Sequence, residues 1–343
     1  MTSSSNNFRT GILITPIQMA VNLCDSANAV NETNPIAITD FNDNMPGWTI
    51  VWNGKQTNDA NYAFIATDPD GEIYALAIRG SLVDKKVIDW NDFANWVVED
   101  FDVLKQVSWP YATTPNAKIS NGASIGFTNL INMEDLVNPG GLSVTDFLVN
   151  NAIKTGKKVI ITGHSLGGNI ANVFTSYFIS TLTQASLSSA NVSLFTFAAP
   201  APGNGDFAKD LDAKLPTAWH YQSLNDAIPN FPVPSDIRQL KQWYSPHPAA
   251  SAITYKVLGI DTKLTDTIED IATLLTVTDL VNWSNYRQQT NNYIKFPTEL
   301  NGNHIGDNVG DWFDQALIQH QLYNYAGYLG VKLTLNKPAS QLA

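Results

Sequence analysis

Short apolar runs bounded by Gly, Pro, Asn and Asp alternate along this chain with longer stretches whose apolar positions recur every third or fourth residue. The short runs predict strands at 62–65, 73–78, 158–162, 192–197 and 219–224, and the longer ones predict helices over 89–104, 142–155, 167–185 and 311–329. Strands alternating with helices give a mostly parallel central sheet with helices on both faces. Residues 235–305 break the rhythm. They offer a strand at 252–258 and a helix at 264–280 within Asn-rich loop, and are expected to form an insertion or cap on a single domain spanning 1–343. Residues 11–24 resemble the apolar part of a signal peptide, but Pro16, Gln18 and Asn22 interrupt it, so an amphipathic helix on the core is expected instead. No uninterrupted apolar run reaches the roughly 18 residues a membrane span needs.

Composition narrows the function classes. Of 343 residues 44% are hydrophobic and 15% charged, a balance that excludes disorder and rod-like chains. A net charge of -11 and only four arginines (Arg9, Arg79, Arg238, Arg287) leave no basic stripe for a phosphate backbone, so nucleic acid is not an expected partner. Cys24 is the sole cysteine, which rules out an internal disulfide and a thiolate metal site.

The strongest local chemistry lies at Lys157 to Gly168, where a β-branched strand runs into Gly163-His164-Ser165-Leu166-Gly167 and then directly into a helix. GxSxG alone is weak evidence. Between a buried strand and a helix, however, it describes a sharp turn that exposes the serine hydroxyl, with small flanking residues because side chains would clash there. The helix N-terminus adds a favourable field for developing negative charge. The plain alternative is a Gly-rich turn carrying an inert serine.

A serine needs a base, and the base a carboxylate to fix its tautomer. His164 is expected to be a packing residue beside the serine. His220 precedes the acid on a strand, too early for the order serine, acid, histidine. His247, His304 and His320 remain. Asp226 follows the strand 219–224 and lies where open α/β sheets place their sites, although an Asx-turn aspartate would fit the same position.

These blocks together resemble the class 3 triacylglycerol lipases of filamentous-fungal type. Ala77-Ile78-Arg79-Gly80-Ser81 is similar to the family's strand ending in Arg-Gly-Thr/Ser, followed by a helix with Trp90 and Trp96. Ile125-Gly126-Phe127 resembles its Gly-Phe block, with Ser124 where a histidine is usual. Ile161 to Gly168, Phe197 to Asn204 and Leu224 to Pro229 resemble the elbow and the next two blocks. The resemblance spans roughly residues 60–235.

It implies an α/β-hydrolase fold with a helical lid, and a serine carboxylester hydrolase, foremost a triacylglycerol lipase working through an acyl-enzyme. Phospholipase A1 and aromatic-acid (feruloyl-type) esterase are the alternatives, and a catalytically inactive lipid-binding protein is the rival outside enzymes. Asp226 becomes the acid, and Ser81 with the backbone N–H of Leu166 the oxyanion hole. Bacterial members often carry a histidine followed five positions later by tyrosine and an apolar helix, which His320 and Tyr325 match; His320 is therefore the first choice for the base and His304 the second. Beside the oxyanion residue, the region 82–104 sets Trp90, Phe93 and Val97 on one helical face, with Trp96 as a second large tryptophan. That face either packs on the core or, as the resemblance implies, forms a lid that meets a lipid–water interface. No cofactor, metal or protein partner is implied. The family is commonly secreted, but no convincing signal peptide is present.

Overall fold

The computed structural model describes residues 7–8, 12–13, 15–30, 38–58, 61–80, 102–244, 249–257, 259–282, 285–296 and 308–335. Its centre is a seven-stranded sheet. In chain order the strands are β1 (Thr49–Asn53), β2 (Ala63–Thr67), β3 (Ile73–Ile78), β4 (Lys158–His164), β5 (Val192–Phe197), β6 (Ala218–Ser223) and β7 (Tyr293–Phe296). Across the sheet the order is β7-β6-β5-β4-β3-β2-β1. β3 to β7 are mutually parallel, and β1 and β2 extend one side as an antiparallel meander.

Period-two side-chain alternation splits the core into two layers. On β4, Val159 and Ile161 face one layer and Ile160 the other. The first layer holds α3 (Asn121–Ile131), α4 (Val144–Leu148), α5 (Leu166–Gln184) and α6 (Gly205–Lys214), packed on Leu76, Ile161 and Leu194. The second holds α1 (Pro16–Asn28), α2 (Ile38–Asn44) and α10 (Leu322–Tyr328), packed on Phe64, Ile160 and Phe197. A third apolar cluster joins the chain after Asp226 to α7 (Pro234–Ile237), α8 (Leu264–Asn282) and α9 (Val309–His320). Helices on both faces of a mostly parallel sheet are what the apolar pattern predicts. Among the described residues, no helix is long and apolar enough to cross a membrane.

Several boundaries differ from expectation, each for a local reason. The N-terminal helix starts at Pro16, because proline pre-sets the first helical φ while Thr15 and Gln18 close a capping box. The helix expected over 142–155 keeps α-geometry only to Leu148 and widens to a π-turn over Val149–Ile153. Residues 311–329 are two helices, not one. Gln321 adopts an extended backbone (ψ 138°), and the Asn324 side chain donates at 2.6 Å to the Ile318 carbonyl, which also takes the Gln321 N–H at 3.3 Å. Within 235–305, the stretch expected as Asn-rich loop contains β7, which closes one edge of the central sheet by pairing His220 to Ser223 with Tyr293 to Phe296. The strand expected at 252–258 is half of a hairpin, Thr254–Val257 with Ile260–Lys263. Residues 81–101, which carry most of the expected lid, lie outside the described residues, and 102–104 form a turn.

Candidate active site

The GxSxG turn joins β4 to α5. Ser165 sits at φ 59° and ψ -127°, a conformation that costs an L-residue roughly 1–3 kcal/mol and persists only where its surroundings enforce it. The surroundings are backbone. A Cβ on Gly163 would lie 2.3 Å from Gly167 C and O, and one on Gly167 would lie 2.2 Å from Ile78 O. Only glycine lets β3, β4 and α5 meet this closely, while the Ser165 N–H donates to Phe197 O at 2.9 Å. The result points the hydroxyl away from the sheet, at the N-terminus of a 19-residue helix. Leu166 is the first residue of that helix, where an amide has no intrahelical acceptor.

Three buried side chains, Ser165 among them, form a hydrogen-bonded chain that begins at this hydroxyl. His320 Nε2 is 2.7 Å from Ser165 Oγ, and its Nδ1 is 3.0 and 2.9 Å from the two carboxylate oxygens of Asp226. Ser165, His320 and Asp226 are 4%, 5% and 0% exposed, so bulk water does not screen these contacts. The facing carboxylate keeps the ring proton on Nδ1, and the Nε2 lone pair is left to accept the serine proton. The break at Gln321 gives the histidine its position, because it ends α9 at His320 and turns α10 back so that Tyr325 reaches the same carboxylate.

Asp226 has further donors. Tyr325 OH donates to Oδ2 at 2.6 Å, and the Ile228 N–H donates to Oδ1 at 3.0 Å. Tyr325 OH in turn accepts from the Ser223 N–H at 3.0 Å. Burial first, and then the charge and hydrogen bond of Asp226, hold this phenol's pKa well above its usual value, so it remains a donor. Tyr325 appears in the sequence as the tyrosine five positions after His320, but its partner there was not legible.

The remaining histidines separate. His164 is buried in the second layer beside His320, with ring centroids 4.8 Å apart, and its Nε2 lies 2.9 Å from the His320 carbonyl oxygen. Burial, and then the neighbouring His320, push its pKa well below the usual value, so the neutral ring donates Nε2–H to that carbonyl. It packs as expected and also holds the end of α9. His220 lies on β6 with Nδ1 2.8 Å from Thr196 Oγ1, and burial lowers its pKa to about 4. His247 and His304 lie outside the described residues, as do Ser81 and the lid residues Trp90, Phe93, Trp96 and Val97.

The approach to Ser81 is described. Arg79 is 2% exposed, donates from Nη1 to Val30 O at 2.6 Å and Gln56 Oε1 at 2.9 Å, and lies over the Tyr62 ring. Gly80 N–H donates to Asn28 Oδ1 at 3.1 Å, and a Cβ there would lie 2.8 Å from the His164 carbonyl oxygen. The end of β3 is thereby clamped against the serine turn.

The model of the class 3 lipase family matches residues 77–235, which contain the β3 end, the serine turn and the Asp226 loop. Over these residues the chain is similar to the class 3 lipases. It is thus an ester hydrolase of the lipase kind. Among solved structures it is similar to M37 lipase, with 20% identity, 93% of this chain and 95% of that one covered, and a TM-score of 0.70. It is also similar to lipase II from Rhizopus niveus, with 20% identity, coverage of 64% and 75%, and a TM-score of 0.49. The likeness to M37 lipase is one of fold, the α/β-hydrolase fold, and it extends well beyond the matched residues on both sides.

Proposed function

We propose that the chain is a triacylglycerol lipase in which Ser165 is the nucleophile, His320 the general base and Asp226 the acid that orients it. The observation that carries this reading is the pair of contacts on one imidazole, Nε2 to Ser165 Oγ at 2.7 Å and Nδ1 to both oxygens of Asp226. His320 takes the serine proton as Oγ attacks the ester carbonyl. The tetrahedral oxyanion is held by the Leu166 N–H and by Ser81, His320 returns the proton to the departing alcohol, and water activated by the same ring releases the acid. An inert lipid-binding protein has no need of this hydrogen-bonded order.

Residues 82–104 are proposed as the lid, on the amphipathic spacing of Trp90, Phe93 and Val97 and on the family resemblance. The whole of 1–343 is proposed to be one domain, with residues 235–305 contributing a cap outside the sheet strand β7.

Nitrophenyl esters of short, medium and long acyl chains, assayed with the native chain, Ser165→Ala, His320→Ala and His304→Ala, test the site. The expected result is loss of at least about 10³-fold in Ser165→Ala and His320→Ala, with His304→Ala close to native. Full activity in Ser165→Ala would overturn the mechanism, and loss in His304→Ala alone would move the base. A step in activity at the solubility limit of the ester marks a lid, whereas a smooth rise through that limit removes it.

A further inference from the structure

A cavity of about 890 Å³ opens between β-hairpin residue Lys118, the N-terminus of α6, the start of α7 and the flank of α8. None of its lining residues belongs to the hydrogen-bonded set around Ser165. Its walls carry Lys118, Lys209, Arg238 and Arg287 against one carboxylate, Asp206. With 20 Lys and Arg in 343 residues, an unbiased set of twelve lining residues would hold roughly one cation, so four is a concentration of charge against the trend of a chain at -11.

The two arginines are held in place. Arg238 donates from Nε to Glu269 at 2.8 Å and from Nη2 to Thr276, itself in the wall, at 3.3 Å. Glu269 also takes Lys241 at 2.6 Å, so its charge is shared and the surplus at the cavity survives. Arg287 is tied at Nη1 to the Tyr286 carbonyl at 3.0 Å, and its stem packs by Gly205, the first residue of α6. The ten-residue helix α6 directs the positive end of its dipole to the same place.

The geometry points to a binding site for a phosphate group in this cavity. The guanidinium N–H groups of Arg238 and Arg287 that Glu269, Thr276 and Tyr286 do not take can donate to phosphate oxygens, ammonium groups add point charge, and wall amides can donate to the remaining oxygens. The volume far exceeds that of inorganic phosphate and leaves room for an organic remainder. The phosphate is that of a glycerophospholipid headgroup or of a soluble phosphomonoester, and one experiment separates the two sources.

The full chain is titrated calorimetrically with inorganic phosphate and with glycerol 3-phosphate at constant ionic strength, and co-sedimented with phosphatidylcholine vesicles with and without phosphatidic acid. Native chain, Arg287→Gln and Asp206→Asn are compared. Saturable binding should weaken about tenfold in Arg287→Gln, whose side chain is solvent-exposed, and tighten in Asp206→Asn, which removes the one carboxylate of the cavity wall. Binding in the soluble arm alone assigns a small phosphomonoester, and binding only to vesicles with phosphatidic acid assigns a headgroup. No binding in either arm, or binding that neither substitution changes, overturns the site. Hydrolysis of a short nitrophenyl ester, expected to be equal in native and Arg287→Gln, reports on the Ser165 chemistry separately.

Discussion

Tyr325 OH donates a 2.6 Å hydrogen bond to Oδ2 of Asp226, the same oxygen that lies 2.9 Å from His320 Nδ1. One carboxylate oxygen therefore serves two donors, and the tyrosine helps to fix the carboxylate that orients the imidazole. Tyr325→Phe keeps the ring and removes only this donor. A lost hydrogen bond to a charged group amounts to about 1.5–3 kcal/mol, so kcat should fall by about tenfold or more with little change in KM. A kcat close to native, or a loss explained wholly by less folded enzyme, would leave Tyr325 only a packing residue.

How much of this site could be read from the chain differs between its parts. Ser165 was legible because its turn imposes a local rule: three backbone segments meet, and only glycine fits beside the serine. Asp226 was half legible, since a strand end followed by aspartate also describes an ordinary turn, and its contact with Tyr325 depends on a fold between residues 99 apart. The sheet strands came through wherever burial on both faces made them continuously apolar. β1 and β7 did not, because each sits at a sheet edge with partly exposed side chains, and β7 also reads as part of its Asn-rich surroundings. The break at Gln321 was illegible for a similar reason: apolar spacing continues through it, and the stop comes from Asn324 capping the preceding turn.

The close approach at Gly167 has its own measurable consequence. Its Cβ would lie 2.2 Å from Ile78 O and 2.7 Å from Arg79 C, both main-chain atoms of the clamped β3 end that cannot swing aside. Gly167→Ala should cost about 3 kcal/mol or more in chemical denaturation and abolish ester hydrolysis. Gly156 is the control, with φ 75° and nothing within 4 Å of the point where a Cβ would stand, so Gly156→Ala should cost only about 1 kcal/mol of backbone strain. Equal costs at the two positions would mean that the serine turn is not sterically locked.

Buried phenols should limit the alkaline range. Tyr244 donates to the Asn225 carbonyl at 2.9 Å, and burial, followed by the charge of Asp226, raises its pKa well above the usual 10; Tyr325 is raised for the same leading reason. Both native pKa values exceed the unfolded ones, so this contribution is complete below about pH 10 and is lost as pH climbs beyond it. Two such groups remove about 3 kcal/mol per pH unit. Denaturation midpoints measured at pH 9 and pH 11 should fall accordingly, and Tyr244→Phe should shrink the drop. A flat response between these pH values would contradict the protonated assignment.

Acid should act through the buried histidines instead. Burial lowers the His220 pKa to about 4, with Asp212 opposing weakly, and lowers that of His164 well below 6.5. Because the native values lie under the unfolded one, the unfolded chain takes up protons first. Stability from the neutral rings is present above about pH 6.5 and drains away as pH falls toward 4, by about 3 kcal/mol for His220 alone. His220 is the cleaner position to change, since its Nδ1 meets Thr196 Oγ1 and its ring stacks on Tyr293, whereas His164 supports the His320 carbonyl. His220→Asn should lower stability at pH 7.5 but flatten its decline between pH 6.5 and 4.5, narrowing the gap to the native chain as acid is added. If the two chains lose stability in parallel across that interval, the charge on His220 is not what acid exploits.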